Sequence, residues 1–282
     1  MLKIETRFHR DLVENSVAVT SVTQRGIVFG LNDSGHDPLL FAFDSTGTSR
    51  KVWTVLGASN RDWEAATLGP CDRTGETSCL YIGDVGDNDA RRRLVTIYRV
   101  REPDVMAVSV TGRSEVAIER RLDVAYADHP HDVEALYVAP DGALLLISKR
   151  RLLDAQRRPR PALIYRVPVE AWDSPGTAIA PLVDSLPIVP GESPRRQITD
   201  AALSPDGRLL AVRTYAEVFV FRVDSITGLP IREPPPLPCR VSQLEENQGE
   251  GIGWWWDNRR LVLTSEGSRE PLWIVTCPLP GP

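Results

Sequence analysis

A strand–turn–strand pattern that recurs five times constrains this chain more than any other feature of its sequence. The copies occupy residues 15–35, 64–88, 134–150, 200–215 and 250–267. Each copy opens on a polar residue, alternates apolar residues on both sides of a turn, and ends in a second polar cluster. Alternating apolar residues around a Gly- or Asn-containing turn predict a β-hairpin. Strand-only repeats are typical of propellers, so we predict an all-β chain with five blades.

The remaining apolar stretches supply the outer strands of these blades. Strands are predicted at 39–44, 51–55, 94–100, 115–122, 162–167, 178–182, 218–223, 239–243 and 271–277, with one helical turn near 169–172. The fifth blade has three strands of its own, so a strand at 4–9 is expected to complete it and close the ring. Six blades is the alternative, if the Pro-rich stretch 229–238 contains a degenerate hairpin. Prolines remove ladder donors, which favours an exposed connection there and a single domain over 1–282.

The hairpin geometry predicts where the polar residues meet. The start of the first strand and the end of the second lie at the same end of a hairpin. Radial stacking therefore gathers both polar sets at one end of a central channel, called the mouth below. Residues that alternate by two share a face, which adds Asp62 and Asp132 to the set. The predicted mouth residues are Asn15, Asn32, Asp33, Asp62, Glu64, Asp84, Asp87, Asn88, Asp132, Glu134, Lys149, Asp200, Arg213, Glu250 and Glu266.

So many carboxylates cannot all stay ionised at short range without compensation. Protons, basic side chains or a cation can supply it. Lys149 and Arg213 end the second strands of the third and fourth hairpins, which favours ion pairing. Asp84, Asp87 and Asn88 have no evident basic partner, and oxygen-rich loops with glycine suit calcium. We therefore predict calcium as a cofactor, held by Asp84, Asp87, Asn88, Asp132 and Asp200.

Three functions fit such a mouth. Paired carboxylates can act as acid and base in glycoside hydrolysis, with Asp62, Glu64, Glu134 and Glu250 as the candidate catalytic residues. A calcium-assisted hydrolase of a phosphoester or a carbohydrate-like ligand is the second reading. Its candidate ligand-binding residues are Lys149, Arg213, Asn32, Asp33 and Glu266. The third reading is a non-catalytic extracellular binding or scaffold protein whose acidic ring is structural.

Several short motifs carry a resemblance to a known group of proteins. They are Asn-Asp-Ser-Gly at 32–35, Asn-Arg-Asp-Trp-Glu at 60–64, Gly-Asp-Val-Gly-Asp-Asn at 83–88, Asp-Val-Glu-Ala-Leu at 132–136 and Gln-Gly-Glu at 248–250. In combination they resemble a family of bacterial secreted β-propellers of unassigned function. The Pro-Asp-Gly turns at 140–142 and 205–207 are similar to those of TolB-like and Trp-Asp-repeat propellers. Phytase-like propellers are a more distant analogy that implies calcium held by carboxylates, although their ligand pattern is not matched here.

Net charge and cysteine content limit the possible partners and the cellular compartment of the protein. The net charge of −5 gives no reason to expect a nucleic-acid partner. No apolar run approaches the roughly 18–20 residues of a membrane span. We expect a monomer that binds a small molecule or carbohydrate. Cys71 and Cys79 form a local pair within an even count of four, with Cys239 and Cys277. This favours an extracellular or periplasmic protein with its signal peptide removed, the alternative being a cytosolic protein with four buried thiols.

Overall fold

The computed structural model describes residues 1–107, 114–149, 156, 158, 160–186, 188 and 196–281; Arg150, the end of the third predicted hairpin, lies outside these ranges. The described chain is all β apart from one 3-10 turn at Val169–Asp173, which matches the predicted helical turn. Its strands are β1 (Leu2–Ile4), β2 (Val19–Thr20), β3 (Ile27–Leu31), β4 (Leu39–Asp44), β5 (Ser49–Leu56), β6 (Trp63–Pro70), β7 (Ser78–Asp84), β8 (Val95–Arg101), β9 (Glu115–Tyr126), β10 (Val133–Val138), β11 (Leu144–Ser148), β12 (Leu163–Val167), β13 (Ala178–Ala180), β14 (Leu182–Ser185), β15 (Ile198–Leu203), β16 (Leu209–Thr214), β17 (Glu217–Arg222), β18 (Cys239–Arg240), β19 (Gln248–Trp254), β20 (Leu261–Glu266) and β21 (Leu272–Val275).

The strands form five antiparallel groups of four. In chain order these are β2–β3–β4–β5, β6–β7–β8–β9, β10–β11–β12–β14, β15–β16–β17–β18 and β19–β20–β21–β1. The first two groups join into one sheet because β5 and β9 pair in parallel, with Thr54 opposite Glu115. The short strand β13 pairs in parallel with the far end of β9, where Ala178 lies opposite Val124. Each group therefore begins with one of the predicted hairpins.

The first strands of the groups form a closed ring. Strand β2 contacts β6, β6 contacts β10, β10 contacts β15, β15 contacts β19, and β19 returns to β2. Five apolar clusters fill the spaces between neighbouring groups, one for each pair. Trp63 is fully buried in one of them, and its Nε1 donates to the Ser59 carbonyl at 2.9 Å. Burial of apolar faces on both sides of each sheet thus holds the groups around a common axis.

The N-terminal segment lies between the last and the first group. Strand β1 pairs with β21, with Leu2 opposite Ile274. The strand was predicted at 4–9, but it ends at Ile4 because the following residues turn towards the first group. There Phe8 packs on Phe43 with ring centroids 4.5 Å apart. The stretch 229–238 holds no strand and makes a single isolated bridge, between Val223 and Pro230.

All four cysteines are paired. Cys71 bonds to Cys79 within the second group, and Cys239 bonds to Cys277 between the fourth group and the C-terminal segment. The Cα–Cα distances are 4.9 and 5.4 Å, which disulfide geometry allows. Within the described ranges no helix has the length and apolar character that crossing a bilayer requires.

Candidate functional site at the channel mouth

A β-bulge marks the point where four of the first strands reach the mouth. The register of β6 against β7 shifts between Trp63 and Ala65, which leaves Glu64 as the extra residue. The corresponding shifts fall at Glu134 in β10 and within 249–252, which contains Glu250, in β19. A bulge bends its strand and re-aims the extra side chain. In three strands a bulge therefore turns a glutamate towards the mouth. The exposed fractions of Glu64, Glu134 and Glu250 are 6%, 1% and 4%.

In the fourth group the acidic residue does not occupy the position that the glutamates occupy in the other groups. Its register shifts between Ile198 and Asp200, so Thr199 occupies the bulge position. The Thr199 hydroxyl donates to the Glu250 carbonyl at 2.9 Å. Asp200 lies one place further along, where it accepts the backbone N–H groups of Ala201 at 2.7 Å and Ile252 at 2.8 Å. Asp200 thus ties two neighbouring first strands together, although burial raises its pKa well above the ordinary value.

One side of the mouth holds three carboxylates that have no basic partner among the described residues. Asp33, Asp62 and Glu64 present oxygens that all lie within 4.8 Å of one another. In the described ranges, no Lys, Arg or His side chain forms an ion pair with any of them. Gly86 lies directly against the group, since a Cβ there would be 2.5 Å from Asp62 Cγ and 2.7 Å from Glu64 Cγ. The carboxylates can approach only because residue 86 has no side chain.

Burial and mutual repulsion shift the ionisation of this group. Burial, together with the charges of Asp33 and Asp132, raises the pKa of Asp62 to about 7. Burial also raises the pKa of Glu64 well above its usual value, with Glu134 and Asp33 adding to the effect and Lys149 opposing it. Asp132 Oδ2 is a further buried oxygen without a hydrogen bond in the described part of the chain. Near neutral pH the group therefore has a high affinity for protons or for a cation.

Lys149 organises the part of the mouth that the third group contributes. Its Nζ lies 2.5 Å from Glu134 Oε1, and the two side chains are 11% and 1% exposed. Burial lowers the pKa of Lys149, but Glu134, Tyr215 and Glu64 outweigh it, so the net pKa lies above the ordinary value. Lys149 is thus a buried ammonium ion that faces several acidic groups at once. The sequence assigned this residue to ligand binding, and the structure places it at the mouth with Glu134 as its ion-pair partner.

Gln248 joins two further carboxylates beside this pair. Its Nε2 donates to Glu250 Oε1 at 2.7 Å and to Glu266 Oε1 at 2.9 Å. Burial raises the pKa of Glu250 to about 7, against the opposing effect of Lys149. Burial raises the pKa of Glu266 to about 7 as well, helped by the charges of Asp33 and Glu14. Groups with a pKa near 7 can both accept and donate protons at neutral pH.

In the structure, the residues predicted to hold calcium have other partners than the sequence suggested. Asp84, expected to lack a partner, forms an ion pair with Arg92 at 2.8 Å, with both side chains buried. Asp87 Oδ2 accepts the Arg92 backbone N–H at 2.6 Å, and Asp132 Oδ1 accepts the Asp87 N–H at 2.8 Å. Asn88 is exposed. The expectation that Asp84 lacks a partner was wrong because Arg92 lies five residues beyond Asp87, outside the aligned hairpins.

The side chains of three other predicted mouth residues form hydrogen bonds within the protein. Arg213 is fully buried, and its guanidinium donates to the Gly251 and Thr264 carbonyls at 2.8 Å each and to Glu246 Oε2 at 2.6 Å. Asn32 Oδ1 accepts the N–H groups of Val13 and Glu14, both at 3.0 Å. Asn15 Oδ1 accepts the Leu31 N–H at 3.2 Å. These side chains build the walls of the mouth.

Two cavities flank the channel. One of about 420 Å³ adjoins the mouth and is lined by Tyr215, Leu244, Glu246, Gln248 and neighbouring residues. The larger, of about 530 Å³, lies at the opposite end, where the Pro-Asp-Gly turns and Trp254 line it. None of the mouth carboxylates faces the larger cavity. The smaller cavity is next to the titratable groups, because its lining residue Gln248 bonds to Glu250 and Glu266.

Four residues important for the mouth were not singled out in the sequence. Arg92 belongs to a run of three arginines, Tyr215 is the last residue of the fourth predicted hairpin, and Gln248 precedes Glu250 by two residues. Gly86 lies inside a glycine-containing motif that was interpreted as a calcium loop. The alternation of Gln248 with Glu250 could have placed the amide at the mouth, because residues i and i+2 share a strand face. No local signal identifies Arg92 or Tyr215.

Comparison with known proteins does not supply a family. No protein-family model and no curated protein sequence matches the chain. Similar solved structures include a gluconolactonase from Xanthomonas campestris, at 13% identity over 99% of this chain and 98% of that one, with a TM-score of 0.47. A putative gluconolactonase has 13% identity over 99% and 94% of the two chains, with a TM-score of 0.46. A luciferin-regenerating enzyme has 10% identity over 98% and 81%, with a TM-score of 0.45. These values are too low to transfer an activity to this chain.

Proposed function

We propose that this protein is a secreted or periplasmic five-bladed β-propeller that binds calcium at Asp33, Asp62 and Glu64. The carrying observation is the convergence of three carboxylates within 4.8 Å, without an ion-pair partner in the described ranges. Carboxylate oxygens suit a hard cation, and the cation relieves the repulsion that raises the pKa of Asp62 to about 7. The absence of a side chain at Gly86 and the unbonded Oδ2 of Asp132 support the same assignment.

The propeller assignment rests on the ring itself. Five antiparallel groups surround one axis, their first strands contact in a closed cycle, and β1 joins β21 in the last group. The two disulfides support an oxidising compartment. The N-terminal strand β1 completes the last group next to β21 and so ties the two ends of the chain together.

We further propose that the mouth is a metal-assisted hydrolase site for a small phosphoester or carbohydrate-like ester. Asp33, Asp62 and Glu64 would hold the calcium ion, which would supply Lewis-acid chemistry at a substrate oxygen. Glu250, with a pKa of about 7, accepts a proton from the attacking water and returns it to the leaving group. Lys149, held by Glu134, faces the substrate as a fixed positive charge. The cavity of about 420 Å³ beside Tyr215 and Gln248 gives access for a small ligand.

Calcium titration of the chelator-treated protein tests the metal site. The expected result at pH 7.5 is one equivalent per chain, with affinity reduced at least about tenfold in Asp62→Asn because one of three anionic ligands is lost. Asp37→Asn is the matched control, since Asp37 is an exposed carboxylate in the same loop as Asp33. Equal calcium affinity in Asp62→Asn and Asp37→Asn would remove the site from this group.

Gly86→Ala tests the same site by shape rather than by charge. The backbone at residue 86 has no positive φ, so alanine fits the chain conformation. Its Cβ would occupy space within 2.7 Å of both Asp62 and Glu64. We expect calcium affinity to fall at least about tenfold, because the two carboxylates must separate. Gly281→Ala, where an added Cβ meets no atom within 4 Å, is the control.

A substrate panel tests the enzymatic part separately. Phosphoesters, carboxylic esters and glycosides are assayed with calcium and with chelator, in the wild type and in Glu250→Gln. We expect calcium-dependent hydrolysis that falls about 10²-fold or more in Glu250→Gln, the scale of a lost general acid–base group. Hydrolysis of glycosides alone without calcium would favour paired-carboxylate chemistry. Calcium binding without any hydrolysis would favour the non-catalytic binding protein.

A further inference from the structure

A second cluster of metal-ligating side chains lies in the connection 127–132 between β9 and β10. His129 Nδ1 lies 3.1 Å from Asp128 Oδ2, and His131 Nε2 lies 3.1 Å from both oxygens of Asp128. The Tyr165 hydroxyl, from β12, lies 2.9 Å from Asp128 Oδ2 and 2.5 Å from His131 Nε2. Two imidazoles and one carboxylate therefore place their ligand atoms within 4.8 Å of one another, with the Tyr165 hydroxyl beside them.

The backbone holds this cluster firmly. Ala127 N donates to the Ala180 carbonyl at 3.0 Å, and Lys149 N donates to the Asp132 carbonyl at 2.9 Å. Both ends of the connection are therefore tied to neighbouring strands. Pro130 separates the two histidines and restricts the backbone of His129 as well as its own. Pre-organised ligands lose little conformational freedom when an ion binds.

The polar atoms of the cluster converge on one carboxylate. His131 Nε2 lies within hydrogen-bond distance of both Asp128 oxygens, and the Tyr165 hydroxyl donates to Asp128 Oδ2. Tyr126 packs edge-on against His131 with ring centroids 5.3 Å apart, and its buried hydroxyl has no hydrogen bond in the described part of the chain.

The spacing fits a tetrahedral ion. Zinc bonds of about 2.0–2.1 Å place neighbouring ligand atoms roughly 3.3 Å apart. The three nitrogen–oxygen separations of 3.1 Å between the histidines and Asp128 are close to this value. Nitrogen ligands select zinc and related transition metals, whereas calcium takes oxygen ligands almost exclusively. The His131 side chain is 3% exposed, while His129 and Asp128 are 56% and 36% exposed, so solvent can reach the centre of the cluster.

We propose that Asp128, His129 and His131 bind one zinc-class divalent ion, at a site separate from the three carboxylates of the mouth. A water molecule fills the fourth position, because the Tyr165 hydroxyl lies 2.5 Å from His131 Nε2, closer than two ligand atoms of one tetrahedral ion. The ion crosslinks the connection between β9 and β10, which also carries Asp132 of the mouth. Its ligands differ in kind from those of the proposed calcium site, so the two sites select different metals.

Cobalt titration tests this proposal, because tetrahedral Co²⁺ with nitrogen ligands absorbs visible light strongly and octahedral oxygen-bound Co²⁺ does not. The chelator-treated wild type is titrated with Co²⁺ at pH 7.5, and Zn²⁺ is then added. We expect one equivalent of the tetrahedral spectrum, which Zn²⁺ abolishes. In His129→Asn and in His131→Asn the affinity should fall at least about tenfold. His129 is exposed, so its variant keeps the fold even if His131→Asn does not.

Two variants serve as controls. His9→Asn removes a histidine remote from the cluster, and Asp62→Asn removes a carboxylate of the mouth; both should keep the tetrahedral spectrum. Absence of that spectrum from the wild type would overturn the proposal. So would a spectrum that survives in His129→Asn and His131→Asn, or one that Asp62→Asn abolishes. Failure of the calcium titration leaves this result unaffected, because the two sites share no residue.

Discussion

Removal of Lys149 is the most informative single perturbation of the mouth. Lys149→Met keeps the length of the side chain and removes its charge, which leaves Glu134 buried without its partner at 2.5 Å. Breaking a buried ion pair from one side costs about 3–5 kcal/mol, because the remaining charge has lost its solvation and its counter-ion. The structure predicts a loss in this range, since Glu134 is only 1% exposed.

The size of the stability loss in Lys149→Met follows from the free-energy cost of protonating Glu134. Glu134 can escape the penalty by taking up a proton, which costs about 1.4 kcal/mol for each pH unit above its ordinary pKa of 4.5. At pH 7.5 that cost is about 4 kcal/mol, and at pH 5.5 it is about 1.4 kcal/mol. Burial raises the folded-state pKa of Glu134 well above its unfolded value even with Lys149 opposing the shift, and removal of Lys149 raises that pKa further. In Lys149→Met this carboxyl therefore does not destabilise the fold below pH 4.5, and its destabilising effect grows as the pH rises.

Denaturant and thermal unfolding in the presence of chelator measure this loss. An unfolding entropy of about 2.1 cal/mol/K per residue over 282 residues gives about 0.6 kcal/mol/K, so 4 kcal/mol corresponds to a Tm lower by about 7 °C. The double variant Lys149→Met/Glu134→Gln should recover most of the stability and lose the pH dependence. The reasoning is refuted if Lys149→Met costs the same at pH 5.5 and 7.5, or the same in the Glu134→Gln background.

Two further predictions concern stability. Glu250 has a folded-state pKa of about 7 against an ordinary 4.5, so the folded chelated protein binds the extra proton. Its free energy of unfolding should fall by up to about 3 kcal/mol between pH 4.5 and 7, and Glu250→Gln should flatten this slope; an unchanged slope in urea titrations would contradict the assignment. The Cys239–Cys277 bridge closes a 38-residue separation, for which loop-closure entropy gives about 4 kcal/mol, against about 2.5 kcal/mol for the 8-residue separation of Cys71–Cys79. Paired Cys→Ala variants should show that order in thermal melts, and the reverse order would refute the entropic argument.

The alternation of apolar residues determined the strands and the order in which they follow one another. Most predicted strands lie within one or two residues of those in the structure, and the stretch 39–44 coincides with β4. Alternation works because both faces of each sheet are buried against neighbouring groups, and turn residues such as Gly142, with a φ of 86°, fix the hairpins locally. The gathering of polar residues at one end of the channel follows from the same local geometry.

The pairing between polar residues was decided by the tertiary structure. The bulges that turn Glu64 and Glu134 towards the mouth depend on the register between two strands, and the pattern of one strand does not reveal it. The same register gives the bulge of the fourth group to Thr199 rather than Asp200. A single residue of slip changes which side chain faces the channel, and only the assembled sheet fixes that residue.

The sequence by itself determined that acidic residues would collect around one axis, because hairpin ends are set by local turns. It did not determine which carboxylates lack a counter-charge. Arg92 pairs with Asp84, Lys149 pairs with Glu134, and Asp62 has no ion-pair partner in the described ranges. Electrostatic energies depend on distances of a few ångström and on burial, and both arise only when separate segments of the chain pack together.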